Sequence, residues 1–179
     1  MNGDLGTGMV NLSRDFPAIF SLLQVIIGIV GLFFMFSAVG KLMDYSRNPG
    51  HEHGHGGFLT LVLGAFLLQF GATMSGVFES VSGAAGATGY MEQSLGYMPT
   101  SSIAGGVFAP VITACLGFVS LLGWFGGFKG FLIWNKASQG GNHGGFDDPV
   151  WRGTLHVLGG ALAINISQTI EAIRGSVGF

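Results

Sequence analysis

The feature that most constrains this chain is an uninterrupted apolar run: no charged residue falls between Phe16 and Gly40. The run exceeds the roughly 20 residues with which a helix crosses a bilayer. To hold such a helix in water, the remainder of the chain would have to wrap it and still present a charged exterior. It has no means to do so, because 9% of the residues are charged and 49% are hydrophobic, against about 25% charged in soluble domains. Lipid must supply much of the solvent, and the backbone, unable to bond to water there, must form helices.

Arg14, Asp15 and Pro17 mark the start of this first span, over about 17–40, and Lys41, Asp44 and Asn48-Pro49-Gly50 mark its end. The small residues Ser37-Ala38-Val39-Gly40 raise the alternative of a cleaved signal peptide. The run is longer than the roughly 7–15 residues of a signal core, which favours a retained span. A second charge-free run predicts a span over 57–78, stopped by Glu79. Glu79 to Ser102 reads as a polar loop with room for a short interfacial helix.

The third span is expected over 103–125, with Pro110 tolerated near its start. Trp124 and Trp134 are placed at the membrane interface, ahead of a Gly-rich turn. A fourth, over 154–173, is interrupted by His156, Asn165, Ser167 and Gln168. The fold class expected is therefore all-α: one polytopic membrane domain of about four glycine-rich transmembrane helices. Lys41, Arg47, Lys129, Lys136 and Arg152 follow spans one and three, whereas Arg14 and Arg174 are the only basic residues near the termini. That asymmetry places both termini on the non-cytoplasmic side.

Several functions are disfavoured. A net charge of -2 offers no basic surface for sequence-specific nucleic-acid binding. Cys115 is the single cysteine and forms no intrachain disulfide. No Ser or Cys has a spaced His and carboxylate beside it, and no Gly-rich phosphate loop ends in Lys-Ser or Lys-Thr, so no enzyme activity is expected.

Gly57, Gly64 and Gly71 recur every seven residues and predict a bare helical face, joined by Gly159 and Gly160 in the last span. Such faces serve packing within the chain or between subunits. His156, Asn165 and Gln168 bring polar groups into the membrane, for interhelical hydrogen bonds or for a polar path. His51, His53 and His55 are weak metal-ligand candidates in a Gly-rich loop. Lys41, Arg47, Lys129 and Lys136 read as basic turns at lipid headgroups, each worth about 1 kcal/mol at an anionic surface. No cofactor is expected beyond bound phospholipid.

Two stretches carry a family resemblance: Phe125-Gly126-Gly127-Phe128-Lys129-Gly130-Phe131, and the helix from Gly153 to Ile166 with its His-x-x-Gly-Gly and Ile-Asn pairs. Together they resemble the small membrane subunits of type IVB secretion and IncI-type conjugation systems, the DotE/IcmC- and TraQ-like proteins. The likeness covers the C-terminal half, and the N-terminal half by hydropathy. It implies a bacterial inner-membrane subunit that associates with itself and with other secretion or conjugation subunits. The subunit is then an inner-membrane channel component or a pilin-like unit drawn into an extracellular pilus. A stand-alone pore or small-solute transporter is the rival reading, and metal handling through the histidine loop a third.

Overall fold

The computed structural model describes residues 5–48, 53–83, 109–139 and 148–177. Among them every regular element is helical: α1 (Leu5–Arg47), α2 (His53–Leu68), α3 (Phe70–Ser82), α4 (Ala109–Ala137), α5 (Pro149–Ile164) and α6 (Ile166–Val177). Two helical stretches among the described residues are long and apolar enough to cross a membrane, Asp15–Arg47 and Ala114–Ala137. The chain is thus a membrane-associated helical protein.

The expected spans shift in three places. Span two is not straight: α2 and α3 meet at Gln69 with a bend of 97° and count as a third span only if taken together. The expected third span, 103–125, moves towards the C-terminus, since its crossing stretch runs Ala114–Ala137, and residues 103–108 lie outside the described residues. The fourth divides at Asn165 into α5, of 16 residues, and α6, of 12. Of the polar residues that interrupt this run, Asn165 marks the break, while His156, Ser167 and Gln168 lie within helices.

Local chemistry accounts for the helix starts and ends that are visible. Asp148 caps α5, its side chain accepting from the Val150 amide at 2.9 Å, and Pro149 occupies the first turn where no amide partner is lost. Gly83 ends α3 in the left-handed region at φ 67°, its amide donating to the Glu79 carbonyl at 2.9 Å.

Each long helix pairs with the 16-residue helix that follows it, α1 with α2 and α4 with α5. The two hairpins then join through a shared aromatic core. Trp124 is buried between Phe20 and Phe70, at centroid distances of 6.0 and 5.0 Å, and Phe131 packs on Phe70 at 5.9 Å. Trp124 is therefore a core residue and not an interfacial anchor, because it falls on the side of α4 that meets the first hairpin. Trp134 is half-buried, its indole donating to the Val150 carbonyl at 3.1 Å.

The two halves repeat one another at a spacing of 96 residues, that of Gln69 and Asn165. Helix α2 begins at His53 and α5 at Pro149, both ending one residue before the break. The break residues share a conformation: φ -110°, ψ 42° at Gln69 and φ -98°, ψ 39° at Asn165. Thr73 Oγ1 lies 3.1 Å from the Phe66 carbonyl and 3.0 Å from that of Gln69. Thr169 Oγ1 lies 2.9 Å from the Leu162 and Asn165 carbonyls at the same spacing. Gly31 and Gly64 pack together as Gly127 and Gly160 do. The unit is a hairpin, an elbow and a terminal helix, present twice.

Candidate functional site

The glycines sort by what faces them. A methyl group at Gly64 would lie 2.8 Å from the Gly31 carbonyl oxygen, and one at Gly160 would lie 2.6 Å from the Gly127 amide nitrogen. Both distances are to backbone, which cannot swing aside, so these two glycines let the helices of each hairpin touch main chain to main chain. Gly57 meets the Leu42 side chain at 3.3 Å. Gly159 faces open space, and Gly71 lies beyond the elbow on α3, so it does not continue the face of Gly57 and Gly64. The seven-residue spacing crosses a bend that composition does not announce.

The basic residues lie on helices, not in turns. α1 continues through Lys41 to Arg47, and α4 through Lys129 and Lys136 to Ala137. Both hairpin ends nevertheless lie on one side of the molecule. The Thr60 hydroxyl near the start of α2 is 3.1 Å from Asn135 Oδ1 near the end of α4. A methyl at Gly56 would come 2.7 Å from the Ser138 carbonyl. Lys41, Arg47, Lys136 and Arg152 therefore gather at the same end, where lysine and arginine favour the cytoplasmic face.

The polar residues of the expected fourth span take different roles. His156 is half-buried, its Nδ1 2.8 Å from the Arg152 carbonyl of its own helix. Because a carbonyl can only accept, Nδ1 carries the proton in that bond. The ring borders a groove of about 410 Å³ between α4 and α5, lined also by Leu122, Gly126, Leu155 and Gly159. A second groove, of about 380 Å³ between α2 and the end of α4, has the apolar lining Leu59, Val62, Phe66 and Trp134.

Asn165 is the most enclosed of these groups. It is 4% exposed, its Nδ2 donates to the Ala161 carbonyl at 2.9 Å, and the Ser120 hydroxyl donates to the neighbouring Ile164 carbonyl at 3.2 Å. Asn165 Oδ1 and Gln168 Oε1 are both buried and have no hydrogen-bond partner among the described residues. An unpaired buried acceptor costs about 1–3 kcal/mol. Two such oxygens three residues apart at a helix break make the second elbow the polar focus of the molecule. Both residues stand out in the sequence as polar groups in an apolar run, but the run itself reads as one continuous span.

Of the histidine candidates, His55 is exposed in the first turn of α2, His53 opens that helix, and His51 lies outside the described residues. Among the described residues no three His, Cys, Asp or Glu side chains converge as metal ligands. Comparison with known families, curated proteins and solved structures finds no match to this chain.

Proposed function

We propose that this chain is a non-catalytic, self-associating membrane subunit of a conjugation or type IV secretion apparatus, the class that its Gly-rich aromatic turn and His-x-x-Gly-Gly helix resemble. One observation carries the self-association. The apolar window of α1 is 17% buried within the chain, and Leu22, Val25, Ile29, Phe33 and Phe36 stand exposed along it. Lipid covers such a surface in a membrane, and in the proposed assembly neighbouring subunits take the place of part of that lipid. The subunit resides in the bacterial inner membrane with its basic end towards the cytoplasm and anionic phospholipid around Lys41, Arg47, Lys129 and Lys136. The proposed count of about four crossings takes α5 and α6 as a further crossing beyond the two, or three with the α2–α3 pair, that length and apolarity give among the described residues.

Electron microscopy of the chain purified from membranes and sheared from cells tests this reading. Filaments built from this chain make it pilin-like, and rings make it a channel component. Dispersed single copies under both conditions remove self-association.

The paired orphan oxygens at Asn165 and Gln168 favour a second reading, a stand-alone pore or small-solute transporter. Broken helices at the centre of internally repeated membrane proteins line such pathways. Purified protein in liposomes then moves ions or small solutes, and Asn165→Leu abolishes the flux. Silent vesicles from the wild-type chain dispose of it.

A further inference from the structure

We propose that copies of this chain associate head to tail, laterally in the membrane, through a second use of the interface that joins its own two halves. The proposal rests on the self-association reading and names the surfaces that carry it.

The starting point is that the halves are alike but their contact is not reciprocal. Helix α3 of the first half packs on α5 of the second, whereas α6 makes no comparable packing on α2. In the same way α2 packs on α4, without an equivalent packing of α5 on α1. A closing two-fold would have produced both members of each pair. The relation is heterologous, so one donor face and one acceptor face are left unused at opposite ends of the chain.

Exposure of matched residues locates both faces. On the acceptor side, Ile164 is 2% exposed and Asn165 4%, while Leu68, the counterpart of Ile164, is 37% exposed and Gln69 is exposed also. Trp124 and Ser120 are buried in the second half, but their counterparts Gly28 and Gln24 are only partly covered, with open space around Gly28. On the donor side, Phe70 and Met74 of α3 are 1% and 0% exposed. Their counterparts on α6 are Ile166 and Ile170, whereas the other residues that α3 buries, Gly71, Ser75 and Phe78, correspond to Ser167, Glu171 and Arg174, so the matched donor surface is the part of α6 next to the elbow. Helix α6 buries no residue at all, with Ile170 36% and Ile173 58% exposed.

The Ile166 and Ile170 surface of α6 then has as its receptor the α1–α2 hairpin of another copy, which repeats the α4–α5 hairpin that already receives α3, with Gly28 and Gln24 in place of Trp124 and Ser120. Because both hairpin ends of one chain lie on the same side, repeating the relation keeps every copy upright in the membrane. The product is a row or ring of subunits, and not a back-to-back dimer. The donor helix is anchored by its own elbow, so it is presented without a long tether to order.

The experiment uses the full chain in membrane vesicles, with Cys115→Ser as background and a thiol-specific bis-maleimide as the probe. The double variant Leu68→Cys with Ile170→Cys is expected to give a ladder of dimers, trimers and larger products, as is Leu68→Cys with Ile173→Cys. A mixture of the single variants, co-expressed, is expected to stop at dimers, because each chain then carries one half of the junction. Dimers from either single variant alone mean a reciprocal contact and overturn the proposal. Absence of a ladder from both double variants overturns it too. In that event the mass of the uncrosslinked protein in lipid nanodiscs separates the two failures. An oligomer there means that the chain self-associates through another face, and a monomer removes the self-association reading with it.

Discussion

A glycine in a membrane helix matters according to what stands opposite its hydrogen. Gly159 and Gly160 are adjacent, yet one faces open space and the other approaches the Gly127 backbone. Gly160→Ala pushes α5 off α4 and is expected to lose about 1–3 kcal/mol, the usual cost of overpacking. Gly159→Ala is expected to be neutral or to gain up to about 1 kcal/mol from helix propensity. Thermal or chemical unfolding in detergent micelles distinguishes them, and equal losses from both would contradict the packing described. By residue type and spacing alone, the two glycines share one packing face. Type and spacing reveal that a helix has a small side, but which of two neighbouring glycines meets the partner is set by a rotation of about 100° between them.

At the scale of elements, the two elbows are held by threonines that reach back across the break. Thr73 and Thr169 each place a hydroxyl between two carbonyls, of Phe66 and Gln69 and of Leu162 and Asn165. Backbone carbonyls released by a bend need such donors where water is scarce. Thr169→Val leaves the Leu162 carbonyl without its hydroxyl donor. The expected cost is about 1–3 kcal/mol, against little change for Thr169→Ser. Hydrogen exchange of the amides following Asn165 checks this, with faster exchange in the valine variant alone.

The elbows are only half legible in the sequence. Gln69 sits in an otherwise apolar run and gives no sign of a bend, whereas Asn165 is visible as an interruption but not as a turning point. The matched pairs Gly31 and Gly127, Gly57 and Gly153, Gly64 and Gly160, and Thr73 and Thr169 do hold the repeat. They are few, and glycine is too common here, with 33 residues, for their spacing to stand out without the torsions and hydrogen bonds that they share.

For the whole molecule, the Thr60 to Asn135 approach and the closeness of Gly56 to Ser138 put the two hairpin ends together. With Cys115→Ser as background, Asn48→Cys and Gln139→Cys are expected to react with a membrane-impermeant maleimide from the same side. The basic residues there predict that this side is the cytoplasmic one. Labelling of the two positions from opposite sides would break the arrangement of the halves. By itself the sequence determined that this chain is helical and lives in a membrane, because a charge-free run of spanning length and so little charge leave the backbone no other way to satisfy its hydrogen bonds. Tertiary structure alone decided where helices bend, which glycines are used, that Trp124 is core, and that the halves repeat without closing. Those outcomes depend on which faces meet, and in a chain whose long helices are apolar on every side, the residue pattern does not distinguish one face from another.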